Sequence, residues 1–138
     1  MSDKYVDLKN RTKQFALDVL KLCEEVPNNR AASILTKQLI RSGTSVGANY
    51  RSACRAKSPA DFISKMGIVE EEADESVYWL DLLVSSGNLE SVLASPLIRE
   101  GGELTAIAVA SINTARKSGP RSRDRADSAP RTPHSAFR

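Results

Sequence analysis

Apolar residues return along the middle of the chain at spacings of four and three: Phe62, Met66, Val69, Ala73, Ser76, Leu80 and Leu83. At 3.6 residues per turn these positions share one side, so the stretch is predicted to be a helix with a buried seam. Its start is written in Ser58-Pro59-Ala60-Asp61. The serine oxygen can accept from a free N–H of the first turn, proline has no N–H to leave unpaired, and the carboxylate suits the positive helix end. Gly87-Asn88 supplies the stop.

Three further segments carry the same period. Leu8, Thr12, Phe15, Val19, Leu22 and Val26, widened by Ala16, Leu20 and Cys23, predict a first helix over about Val6 to Glu25. Pro27-Asn28-Asn29 breaks it, and Asn28 or Asn29 can cap the next. The second helix is expected from near Ala31 to Arg55, with Leu35, Gln38, Leu39, Ser42, Val46, Asn49 and Ala53 facing inward. Gly43 and Gly47 lie inside it, each costing a helix about 1 kcal/mol against alanine. A break near Gly43 is the alternative. Continuity is favoured because Ser42, Gly43, Ser45, Gly47 and Ala48 form a small-residue surface on which another helix can lie close. In the last segment Leu89–Ala94 reads as a helical turn, Ser95-Pro96 as a second cap, and Leu97, Gly101, Leu104, Ala108, Ser111 and Ala115, flanked by Ile107 and Ile112, as an amphipathic helix to about Lys117. The expected fold is all-α: an antiparallel up-and-down four-helix bundle over residues 1–117. An Arg/Ser/Pro-rich tail over 118–138 is expected to be disordered.

A formal net charge of +3 hides a strong division. Residues 1–58 sum to +6, 59–90 to −7, 91–115 to −1 and 116–138 to +5. A basic front half thus meets an acidic third helix, and only the tail makes the chain basic overall. No apolar run is long enough to span a bilayer, and the polar start is unlike a signal peptide. Cys23 and Cys54 lie in helical patterns without metal-like spacing, which favours structural thiols and a cytoplasmic location.

Two surfaces stand out. On the second helix, Lys37, Arg41, Arg51 and Arg55 fall within an arc of roughly 80°, nearly opposite the buried face. This is either an ordinary solvated side, partly paired with Glu72 or Glu75, or an anion-binding stripe for a phosphate backbone. Only Tyr50 lies near, so base stacking is not supported. On the third helix, Ile68, Glu72, Glu75, Trp79 and Leu82 share one flank, while Glu71, Asp74, Tyr78 and Asp81 point away. That flank is either a wet edge with Trp79 half buried in its own bundle or a subunit contact.

Catalytic chemistry finds little purchase. A di-iron bundle uses Glu-x-x-His pairs, and the lone histidine, His134, stands in the tail. No serine or cysteine has a histidine to activate it, and no Gly-rich phosphate loop follows a strand. The chain is therefore expected to be no enzyme, with no catalytic residues, no metal, no cofactor and no small-molecule substrate.

The run RSGTSVGANYRSACRAKSPADFISKMGIVEEEADESVYWLDLL resembles the four-helix-bundle proteins named for intervening sequences in bacterial 23S ribosomal RNA genes. FALDVLKL and GGELTAIAVASINTAR extend the likeness over about Tyr5 to Lys117. Ser45, Asn49, Arg51, Phe62, Lys65, Glu72, Glu75, Trp79 and Leu80 fall at matching spacing, whereas Ser52 stands where such proteins often carry an acid. The resemblance implies a ring-forming homo-oligomer, usually a homopentamer. Related bundles serve retroelement reverse transcriptases as nucleic-acid-binding accessories. Two readings follow: a ring that binds structured RNA or DNA through repeated basic stripes, or a protein-interaction scaffold whose charged faces are used in self-assembly. A head-to-tail ring needs complementary surfaces on each subunit, and an acidic Trp-bearing flank with a basic stripe meets that need.

Overall fold

The computed structural model describes residues 2–118, with side chains from Asp7 onward. The tail expected to be disordered lies, from residue 119, outside the described residues. Four helices follow one another: α1 (Ser2–Cys23), α2 (Arg30–Cys54), α3 (Pro59–Ser85) and α4 (Ser91–Ser118). Each packs against the next, and α1 closes more sparsely on α4.

Local chemistry sets the helix ends. Asn29 is the N-cap of α2, its side-chain oxygen accepting from the Ala32 N–H at 2.9 Å. Ser58 caps α3 by accepting from the Asp61 N–H at 3.0 Å. The Asp61 carboxylate in turn pairs with Lys65, the main reason its carboxyl lies below the usual carboxylate range, and also accepts from the Lys57 N–H. Gly87 adopts φ 81°, the left-handed conformation a Cβ disfavours, and closes α3. Its N–H donates to the Val84 carbonyl while that of Asn88 donates to Leu83, the paired arrangement that satisfies the last carbonyls of a helix. Asn29 also donates to the Asn88 side chain at 2.9 Å, so the α1–α2 and α3–α4 connections meet at one end of the bundle.

Two expectations about helix bounds are corrected. α1 begins at Ser2 and ends at Cys23, earlier at both ends than Val6 to Glu25. α4 does not restart at Ser95-Pro96. It runs through Pro96, and Ser95 back-bonds to the Ser91 carbonyl at 2.8 Å instead of capping. Pro96 removes the N–H that the Val92 carbonyl would accept, but Val92 is 72% exposed, so water can serve that carbonyl. Buried Leu89 and Ala94 hold this first turn to the core.

The core is built from Phe15 and Val19 of α1, Leu39, Val46 and Tyr50 of α2, Met66, Leu80 and Leu83 of α3, and Leu104 of α4. α2 is continuous through both glycines, and their missing side chains are what bring α1 close. A Cβ at Gly43 would stand 3.0 Å from a Val19 methyl, and one at Gly47 would stand 3.2 Å from the Thr12 hydroxyl. The same device recurs between α3 and α4, where a Cβ at Gly101 would lie 2.7 Å from a Val77 methyl. Between α2 and α3 one polar contact sits among the apolar ones: the buried Ser76 and Ser42 hydroxyls are hydrogen-bonded at 2.8 Å.

The inner faces differ from expectation in detail. Tyr50, read as a neighbour of the basic arc, is fully buried and takes a core position that Asn49 was expected to hold. Asn49 is only half buried and donates to the Ser45 carbonyl of its own helix, so it does not set the register between helices. Gln38 and Leu35 are likewise half buried, at the flank. Leu20 does not widen the α1 face inward; it is 41% exposed. Cys54 is exposed rather than structural, while burial pushes the Cys23 thiol up to about 11.

Candidate functional site

Along α2 the four basic residues of the arc are all exposed, but they do not form one uniform stripe. Arg41 leans to α3, where its guanidinium meets Glu75 at 2.5 Å and Glu72 at 3.3 Å. Hydrogen bonding to Glu75 is the main reason its basicity rises. Arg41 is therefore engaged within its own chain. Lys37, Arg51 and Arg55 show no carboxylate at salt-bridge distance among the described residues. Arg55 stands at the C-terminal cap of α2 with Arg51 in its last turn, where cations suit the negative helix end. Lys37 lies several turns away, so the arc divides into a pair at one end and a single cation towards the other.

The flank of α3 is held together by the same contact. Glu72 and Glu75 face Arg41, and Trp79 packs half buried against the core with its ring edge-on to Tyr78 at 5.2 Å. Its indole nitrogen is shut off from solvent with no acceptor among the described residues, at a cost of about 1–3 kcal/mol. Glu72 is partly buried, and desolvation raises its pKa, with Arg41 opposing. Leu82 is half buried, and Ile68 is 38% exposed near the other end of the helix. Ile34 of α2, 56% exposed, and Tyr78, 54% exposed, leave further apolar surface outside. Of the five flank residues, Glu72 and Glu75 are joined to the basic arc; Ile68 stands apart from Trp79 by three turns.

A second ionic network escaped the sequence reading. Arg11 of α1 donates through Nε and Nη2 to both oxygens of Glu100, at 2.9 and 2.7 Å, and through Nη2 to Glu103 at 2.9 Å. This fork spans the sparse α1–α4 seam, and hydrogen bonding to Glu100 is the main cause of the raised basicity of Arg11. No local pattern could pair residues 89 apart in the chain. Among the described residues no group of three or more His, Cys, Asp or Glu is placed to hold a metal, and no helix is long and apolar enough to cross a membrane.

The sequence profile of the family described as 23S rRNA-intervening sequence protein matches residues 4–110. The chain belongs to this family. A crystal structure of a family relative agrees: a protein of unknown function from the S23 ribosomal protein family of Bacteroides thetaiotaomicron VPI-5482 superposes with a TM-score of 0.70 at 34% identity. The similarity covers 75% of this chain and 96% of that one. No curated protein matches the chain. The family match takes in α1, α2, α3 and most of α4, and so includes both candidate surfaces. It ends before the last turns of α4 and the tail.

Proposed function

We propose that the chain is a non-enzymatic, cytoplasmic, ring-forming bundle protein, with a homopentamer favoured, that holds structured RNA or DNA through basic residues of α2 repeated around the ring. The observation that carries this reading is the division of charge on α2. Arg41 is engaged with Glu72 and Glu75, whereas Lys37, Arg51 and Arg55 are exposed without an ionic partner among the described residues. Membership of a family named for 23S rRNA intervening sequences is in keeping with it. Each subunit then offers few phosphate contacts, and affinity comes from their repetition. With Tyr50 buried, contact is to backbone and shape rather than to stacked bases.

The exposed Ile34, Ile68 and Tyr78 favour a second reading, a protein-interaction scaffold whose faces serve self-assembly. Salt and two substitutions separate them. Under the first reading, affinity for a structured RNA falls steeply as salt rises. Arg51→Glu with Arg55→Glu then abolishes binding while light scattering shows an unchanged mass. Under the second, the same variant loses mass and RNA affinity is negligible at every salt. Repeating the assay on protein ending at Lys117 removes the basic tail's own adhesion. A monomeric mass at all concentrations would overturn both readings.

A further inference from the structure

Between the N-terminal half of α3 and the last turns of α4 runs an open groove of about 580 Å³, floored by Ile63, Gly67, Ile68, Val109 and Ile112. Ile68 and Val109 are each 38% exposed, and a Cβ built at Gly67 would meet nothing within 4 Å. Its outer rim is acidic. Glu70 and Glu71 line it and Asp74 follows one turn on; none of the three has a cation at salt-bridge distance among the described residues. The groove begins beside Arg116, only two residues before the end of α4.

Twenty residues follow Ser118, carrying five arginines and two aspartates and opening with Gly119-Pro120. Glycine just past a helix end and proline after it suit a change of direction. Beyond such a reversal, the chain need climb only from Ser118 to the level of Val109 or Thr105, about 14–20 Å at 1.5 Å per helical residue. An extended strand covers that in about four to six residues at roughly 3.3 Å each. An extended chain past Pro120 would therefore carry Arg125, its fifth residue, to the level of Glu70 and Glu71, with Arg121 and Arg123 on the approach.

We infer that the tail, residues 119–138, folds back in cis onto the α3–α4 groove, its arginines meeting the acidic rim of α3 and its aliphatic stems covering the apolar floor. The acidic rim also argues against a nucleic acid as the occupant, because it repels phosphate. A tether this short sets an effective concentration in the millimolar range, so even a weak contact keeps the tail seated much of the time. Masked arginines are then withheld from other anions until salt or a stronger polyanion releases them.

Trypsin reads this on the full-length protein without any nucleic acid, so the result is independent of the function proposed above. Cleavage after Arg125 is expected to be roughly three- to tenfold slower than in a free peptide of residues 119–138 at low salt, given millimolar tethering. The ratio should return to about one at high salt, where screening is strong. Glu70→Gln with Glu71→Gln and Asp74→Asn, checked for unchanged helicity, should accelerate cleavage to the free-peptide rate. Equal rates in the wild-type chain and the peptide, or no effect of the triple substitution, would overturn the inference. Protection that grows with protein concentration would assign the groove to the tail of a second copy and overturn the cis arrangement.

Discussion

Gly101 and Gly102 are neighbours in sequence and opposites in surroundings, which makes them a sharp test of how α3 and α4 are held. At either position alanine removes the backbone-entropy penalty of glycine in a helix, worth about 1 kcal/mol. At Gly102 a new methyl meets nothing within 4 Å, so that gain is expected almost whole. At Gly101 the methyl would stand 2.7 Å from Val77 Cγ2 and 3.6 Å from both the Ala73 carbonyl oxygen and the Phe15 ring. Valine is stiff at χ1 and cannot swing aside cheaply, so α4 must move off α3, an overpacking cost of about 1–3 kcal/mol. The net expectation for Gly101→Ala is a loss of about 0–2 kcal/mol, against a gain of about 0.5–1 kcal/mol for Gly102→Ala. Urea unfolding followed by circular dichroism, with the same m-value throughout, measures both. Val77→Ala supplies the control: combined with Gly101→Ala, it should cost less than the sum of the two alone, because the clash has gone. If Gly101→Ala stabilises as much as Gly102→Ala, the close approach of α3 and α4 described above is wrong.

Other consequences can be measured on the same preparation. Arg11→Ala should lower stability by about 0.5–1 kcal/mol in low salt and less in high salt, and Arg11→Lys should restore little, because only a guanidinium fork spans both oxygens of Glu100. Glu72, whose pKa is raised by desolvation, keeps a proton in the folded chain at a pH where the unfolded chain has released it. Stability from this group is therefore greatest below the ordinary carboxylate range and declines as pH rises through the raised value. Glu72→Gln should flatten that decline and leave stability at pH 7 equal or higher; a loss above about 1 kcal/mol would mean that the pairing with Arg41 outweighs burial. A thiol reagent at pH 8 should label Cys54 quickly and Cys23 only after unfolding, since Cys54 is exposed and burial holds the Cys23 thiol up at about 11; matched rates, read by mass spectrometry, would contradict the half-buried placement of Cys23.

Helix number, the Ser58 and Gly87 boundaries and the α3 seam were legible in the chain because each is a local rule. Capping depends on a few adjacent residues, and a 3.6-residue period exposes a buried face to inspection. Six of the seven seam residues of α3 are buried, with Phe62 half buried at the first turn. The small-residue surface of α2 was likewise readable, since glycines in a helix otherwise cost stability. What periodicity could not decide was which of two adjacent positions, Asn49 or Tyr50, points inward. Both lie near the edge of the face, and the choice depends on where α1 and α3 stand. Nor could it tell that α4 runs through Pro96, where buried neighbours hold the turn against the local preference of proline.

Charge shows the same division. Counting charges along the chain established that a basic front half precedes an acidic third helix, because residues keep their sign wherever they fold. Only the packing of α2 on α3 decided that Arg41 is consumed by Glu72 and Glu75 while Arg51 and Arg55 stay open, and only the α1–α4 seam brought Arg11 to Glu100. An ion pair depends on distance through space, and distances across a bundle are set by the core, not by position in the sequence.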